Sequence, residues 1–231
     1  KGPCLPGRSW TFKGLRPNSR ANMVDCHRPF CPLRLSPHQP MHPLLRRFHL
    51  GLPSLPVRRA CWRAEGLGTL PKGFGTAQIV IARSRCCFGR FDLSPVPPGK
   101  RAQALSLQVA AWSPFTTSDA AVAWQPGGRA NVWCWSADEL DAAWRAGAGA
   151  DRLPRPVPES ELYPAPASDG LRMLKTLDGV EAQLWQDRSL VASRWWPQTP
   201  DDRELLSFQQ DASRAPDQIE PMPALTEFAL G

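Results

Sequence analysis

The sequence predicts an α+β domain in which mixed or antiparallel sheet, built from hairpins, packs against a few helices. Three observations predict it. Residues 170–197 (GLRMLKTLDGVEAQLWQDRSLVASRWWP) read as three strands joined by two turns. Residues 120–135 read as a second aromatic hairpin, and each hairpin hands over to a stretch with a helix start signal.

The 170–197 stretch organises the rest. Residues 172–177 and 180–185 flank Asp178-Gly179. Asp-Gly between alternating apolar runs predicts a type I′ turn, which needs positive φ at both central residues. Gln186-Asp187-Arg188 makes a second turn into a third strand over 189–196. On the middle strand Val180, Ala182 and Leu184 share one face, and Glu181, Gln183 and Trp185 the other. On the third, Leu190, Ala192, Arg194 and Trp196 alternate against Val191, Ser193 and Trp195. The expectation is a meander with one buried face and an aromatic second face.

Composition divides the chain. Residues 1–100 hold 17 Lys and Arg against 3 acids, a net of +14; the remainder holds 11 against 18, a net of −7. Such asymmetry predicts a basic arm on a mildly acidic domain. The arm suits an anionic partner, membrane surface or nucleic acid, or is solvated or non-native sequence. The seven Cys are odd in number and irregular in spacing, with Cys86 and Cys87 adjacent, which suits free thiols in a reducing compartment. No run of about 18 apolar residues occurs, so no transmembrane helix is expected. Residues 1–15 lack the apolar core of a secretory signal.

Residues 1–40 mix Pro, Arg, Cys and His without period. They offer too little apolar surface to offset the ordering entropy. Upstream sequence read through in translation, with a start near Met41, is equally compatible with that composition. In residues 41–62, Leu44, Leu45, Phe48 and Leu52 stand in helical register until Gly51, Pro53 and Pro56 break it. This reads as a short helix or loop, the other reading being a membrane-surface helix. Residues 66–75 form a linker, 78–82 (QIVIA) a strand, and 101–112 a helix with Leu105, Val109 and Trp112 inward.

Residues 120–125 and 129–135 pair across Pro126-Gly127-Gly128. Ser136-x-x-Glu139 then forms a capping box for a helix over 137–146 that turns Leu140, Ala143 and Trp144 inward. Thr199 caps a last helix over 201–212, with Pro200 and two acids in its first turn. The domain boundaries expected are a basic, Pro-rich, disordered or non-native arm over 1–69, a mixed α/β domain over 70–213, and a tail or linker over 214–231.

The motifs that carry chemistry are thin. Cys26, His27 and Cys31, with His38 and His42, match no standard zinc spacing. Pro98-Gly99-Lys100-Arg101 lacks the leading Gly and the hydroxyl of a P-loop. Asp178-Gly179 resembles the phosphate-binding turn of actin-like ATPases, but Val180-Glu181 follows where phosphate donors belong. No His occurs after His49, so an acid–base or nucleophilic enzyme lacks its usual base. Neither cofactor nor metal is expected. Eight of ten Trp lie after position 100, and Trp195-Trp196 must point to opposite faces of a strand. Trp185, Arg194, Trp195 and Trp196 are therefore the candidate partner-binding residues. The net acidity of that region speaks against nucleic acid as partner.

The order of motifs resembles a known family. A helix over 101–112, a hairpin, a capped helix, Pro156-Val157-Pro158-Glu159, then Gly-Val-x-x-Gln-x-Trp and Leu-Val-Ala-Ser-Arg-Trp-Trp over about 70–212 is similar to the cytoplasmic region of the L-type inner-membrane proteins of type II secretion (GspL). It also resembles the related PilM/PilN assembly proteins of type IV pili. The resemblance implies a degenerate actin-like (ribonuclease H-like) domain that has lost nucleotide hydrolysis. It further implies a non-enzymatic docking platform for an assembly ATPase or other secretion or pilus components. The expected place is the cytoplasm, at the inner-membrane face, with a peripheral or downstream membrane anchor. The family's following transmembrane helix does not occur before Gly231. Two other readings stay open: an actin-like phosphotransferase using Asp178, and a nucleic-acid-binding adaptor using the basic arm.

Overall fold

The computed structural model describes residues 55–148, 152–212 and 224–228. Within them the chain forms an α+β fold of three small sheets and three α-helices, as the hairpins and caps predict.

The first sheet grows around β3 (Thr76–Ile81), whose Ile79, Val80 and Ile81 are completely buried. Each such side chain contributes about 1.5–3 kcal/mol of burial. Strand β1 (Val57–Arg63) runs parallel to β3 on one side, with β2 (Gly66–Leu67) closing antiparallel beyond it. Strand β7 (Arg155–Pro158) runs parallel to β3 on the other side. Two expectations are corrected here. Residues 57–63 are a strand, not helix or arm, and residues 66–67 of the expected linker pair with it. Ala60 and Trp62 are buried while Arg58, Arg59 and Arg63 around them are only partly so; Arg58 Nη1 donates to the Pro71 carbonyl at 3.1 Å. Residues 155–158 also pair despite two prolines, because an edge strand tolerates missing donors. The helical register of Leu44 to Leu52, and the Cys26 and His27 cluster, lie outside the described residues.

The second sheet is antiparallel, β4–β6–β5, from β4 (Cys87–Asp92), β5 (Ser118–Gln125) and β6 (Arg129–Ser136). Helix α1 (Arg101–Trp112) covers one face, burying Leu105 and Val109 against Val122, Val132 and Cys134. The other face carries Trp133 and Trp135, which meet Trp62, Ile79 and Ile81 of the first sheet. Helix α2 (Ala137–Ala148) adds Leu140 and Trp144 to that core. One half of the expected capping box forms, the Glu139 amide donating to Ser136 Oγ at 3.3 Å, while the Glu139 carboxylate meets Arg85 Nη1 at 3.4 Å.

The third sheet is the expected meander, β8 (Gly170–Thr176), β9 (Gly179–Gln186) and β10 (Ser189–Trp196). A short β11 (Leu225–Thr226) extends it in parallel to β8, so part of the expected tail belongs to a sheet. Helix α3 (Asp202–Ala212) seals Val180, Ala182 and Leu184 under Leu205 and Phe208. Its cap is Asp201, two residues later than expected. The Glu204 amide donates to Asp201 Oδ1 at 2.7 Å and the Asp201 amide donates back to Glu204 Oε2 at 3.1 Å, a reciprocal pair that Thr199 cannot match.

The turns of the meander are exchanged relative to expectation. Thr176 pairs with Gly179, which leaves Leu177-Asp178 at the first tip and positive φ at Gly179 alone. A Cβ at Gly179 would lie 2.2 Å from the Trp196 carbonyl oxygen. The turn with two left-handed residues is the second, Asp187 (φ 52°) and Arg188 (φ 57°). The Asp169 carboxylate holds it by accepting both of their amides, at 2.7 and 3.0 Å. A register shift between Leu190 and Ala192 also breaks the expected alternation on β10. Leu190 therefore turns toward Trp133 and the shared core, while Ala192 and Trp196 pack toward α3.

Candidate functional site

Parallel strands β1, β3 and β7 end side by side, and open sheets usually bind ligands beyond such carboxyl ends. Here the β8–β9 hairpin sits at that place. After β1, the Ala64 amide donates to Asp178 Oδ2 at 2.7 Å. After β3, Ser84 Oγ donates to the same oxygen. After β7, Glu159 Oε1 accepts the Leu177 amide at 2.6 Å. All three strand ends thus grip one two-residue tip.

Behind the tip lies a buried charged cluster. Arg83 Nε donates to Glu181 Oε1 at 2.8 Å, the two side chains being 6% and 0% exposed. The rest of the guanidinium reaches the Cys86 carbonyl at 2.6 Å and Ser193 Oγ at 3.1 Å. Glu181 also accepts from Ser160 Oγ, Ser193 Oγ and, at 3.1 Å, Gln183 Nε2. Glu159 is buried beside it and accepts the Arg83 amide at 3.0 Å and the Tyr163 hydroxyl. Burial pushes the Glu159 carboxyl up from its ordinary value; its three donors oppose that rise and the nearby Glu181 carboxylate adds to it. The same burial, with the Glu159 charge, raises the Tyr163 phenol.

Such a cluster is a structural clamp. Both oxygens of Glu181 have a donor, the Arg83 guanidinium among them, while the Glu159 oxygens meet the Arg83 and Leu177 amides and the Tyr163 hydroxyl. Among the described residues no group of three or more His, Cys, Asp or Glu is arranged to hold a metal ion. Among them, too, no helix is long and apolar enough to cross a membrane.

No protein-family model matches the chain, and no curated protein matches it in sequence. Solved structures do match, and one of them does so in part. It is the cytoplasmic domain of EpsL, an inner-membrane component of the type II secretion system of Vibrio cholerae, at 16% identity and a TM-score of 0.40. The match covers 75% of this chain and 85% of that one.

The four candidate contact residues do not form one surface. Arg194 and Trp196 face α3. The Arg194 guanidinium pairs with Asp211 at 2.9 Å and lies 5.8 Å over the Trp196 ring and 5.4 Å over Phe208. Trp196 meets Phe208 edge-on. Trp185 and Trp195 lie on the opposite side, with Glu181 and Gln183. Trp185 Nε1 donates to Gln183 Oε1 at 3.0 Å under the Arg172 guanidinium. Trp195 Nε1 is buried without a hydrogen-bond partner. All four are half-buried.

The second face of the meander is thus a polar core, not an aromatic surface: Glu181 and Gln183 are as buried as the aliphatic residues that alternate with them. Sequence reading missed Arg83, Glu159, Ser160 and Glu181. Arg83 and Glu181 stand 98 positions apart, and nothing local marks either as buried. A signal did exist in Glu159-Ser160 directly after Pro156-Val157-Pro158, where a parallel strand ends.

Proposed function

We propose that this chain is a non-enzymatic docking domain of a bacterial secretion or pilus assembly platform, working at the cytoplasmic face of the inner membrane. The observation that carries the reading is Asp178. Its carboxylate accepts the Ala64 amide and the Ser84 hydroxyl, so the turn that would hold phosphate in an actin-like ATPase is closed by the chain's own donors. The two carboxylates behind it are committed to Arg83, Ser160, Ser193 and Tyr163. The motif order over 70–212 is what supports the family reading, and the partner that reading implies is an assembly ATPase or another platform component.

The contact residues of this reading lie along β10 and its neighbour Trp185, on both faces of the sheet: Arg194 and Trp196 on the α3 side, Trp185 and Trp195 on the other. Trp185, Arg194, Trp195 and Trp196 each keep an exposed part, and half-buried Trp and Arg are the residue types that dominate binding energy. Co-purification with the assembly ATPase tests it. An Arg194→Ala/Trp195→Ala variant is expected to lose the complex. Asp211→Ala breaks the same Arg194 ion pair from the α3 side and is expected to keep it. Equal binding by wild type and the double variant would remove this surface. Calorimetry with ATP and magnesium is expected to show no binding heat, and a saturable heat would favour the phosphotransferase reading instead.

A further inference from the structure

Cys87 and Cys134 take no part in the clamp or in the docking surface. Cys87 lies on β4, an edge strand of its sheet, and Cys134 on β6; the register sets them directly opposite one another. Antiparallel partners lie about 4.5–5.5 Å apart at Cα, inside the window of about 4.4–6.8 Å that a disulfide spans. Opposed residues share a face, so the two thiols stand on the same side of the sheet. Ser113 Oγ lies 3.9 Å from Cys134 Sγ. Both cysteines are free thiols, Cys87 partly exposed and Cys134 completely buried.

We infer that Cys87 and Cys134 form a thiol–disulfide modification site whose reagent is a small hydroperoxide, with Cys87 attacking and Cys134 resolving. The roles follow from position. Cys87 is the member of the pair that solvent reaches. Its thiolate accepts the Cys134 S–H and feels the Arg83 charge; together these outweigh burial and bring its pKa down to about 7. Cys134, donating that bond from a buried site, holds its proton more tightly than an ordinary thiol. Adjacent Cys86 sits in the opposite core with Trp133 and Trp62, and burial raises it. Half-buried Cys61 is raised as well.

The chemistry balances in two steps. The Cys87 thiolate attacks one peroxide oxygen, the O–O bond breaks, and hydroxide leaves, giving a sulfenic acid. The Cys134 sulfur then attacks the Cys87 sulfur. The S–O bond breaks, an S–S bond forms, and the Cys134 proton leaves with the hydroxyl as water. Two thiol-level sulfurs are oxidised by two electrons in all, and one peroxide is reduced to water and hydroxide.

The test treats the reduced full-length chain with hydrogen peroxide and maps linked peptides by mass spectrometry. A Cys87–Cys134 link is expected in wild type and in Cys86→Ser, and none in Cys87→Ser. In Cys134→Ala, an apolar replacement of similar size, dimedone is expected to trap a sulfenic acid on Cys87. Independently of any variant, iodoacetamide at about pH 7 should modify Cys87 about tenfold faster than Cys61 in the wild-type chain, because only the thiolate reacts. A link that persists in Cys87→Ser would overturn the proposal. So would absence of the Cys87–Cys134 link in oxidised wild type, or alkylation of Cys61 ahead of Cys87.

Discussion

The Arg83 guanidinium and the Glu181 carboxylate meet at 2.8 Å with almost no exposure, joining the end of a parallel strand to the middle of the meander. A buried pair is weak evidence for net stability, yet breaking it from one side leaves an uncompensated charge that costs about 3–5 kcal/mol. Arg83→Met is therefore expected to lower the unfolding free energy by that much, read from a lower urea midpoint. Arg83→Met/Glu181→Leu should recover part of the loss. Full recovery is not expected, because Ser160, Ser193 and Gln183 would all lose their acceptor. A single variant as stable as wild type would show that the clamp is not formed in solution.

Asp178 separates the docking reading from the phosphotransferase reading by stability alone. A carboxylate held for a missing ligand is a strained group, and its removal would leave stability unchanged or raise it. A carboxylate that latches Ala64 and Ser84 loses two hydrogen bonds when truncated. Asp178 is half-exposed, so the expected loss for Asp178→Ala is about 1 kcal/mol. Ser84→Ala should cost less and should not add fully to it, since both remove the same contact. Thermal or urea unfolding of Asp178→Ala, Ser84→Ala and the double variant decides the matter.

What could be read from the sequence was local. The meander, the β5–β6 hairpin and all three helices follow from period-two and helical patterning and from caps three residues long. Strand β1 was hidden because Arg58, Arg59 and Arg63 give the segment the look of a charged arm, although their aliphatic stems lie along a sheet. The Ala60 and Trp62 alternation was the only clue, and Pro56 beside it pointed elsewhere. The bulge at Val191 leaves no mark, since either register of Leu190 and Ala192 is apolar. The clamp was illegible for a deeper reason. Charged residues default to solvent, and only the chain path that brings β3, β7 and β9 together makes Arg83, Glu159 and Glu181 neighbours.

The second turn of the meander carries two L-residues in the left-handed region, Asp187 and Arg188. That conformation costs a non-glycine residue about 1–2 kcal/mol. Asp187→Asn/Arg188→Gly installs the pair a type I′ turn prefers. It is expected to raise stability by about 1 kcal/mol, the gain reduced by the greater freedom of glycine in the unfolded chain. Asp169→Ala removes the carboxylate that holds both turn amides and should destabilise. That carboxyl lies below its ordinary value because of those amides, so its contribution is present above the unfolded pKa and fades as pH falls through the folded one. The difference between wild type and Asp169→Ala should accordingly shrink in acid.

Glu159 makes the opposite prediction. Burial raises its folded pKa above the unfolded value of 4.5, with Glu181 adding to the rise. The folded state then binds the proton more tightly than the unfolded state. Stability from this group is complete below the unfolded pKa and is lost as pH rises through the folded one. Glu159→Gln keeps one carbonyl oxygen for Tyr163 and Leu177 but turns an amide toward the Arg83 N–H, so it should be less stable than wild type throughout. Its deficit, however, has no proton to follow. The wild-type advantage should therefore be greatest at or below the unfolded value of 4.5 and narrow as pH rises above it, read as the difference in urea midpoints of the two proteins. An advantage that widens with pH would mean that the three donors outweigh burial, and that Glu159 sits in the clamp as an ordinary, fully charged carboxylate.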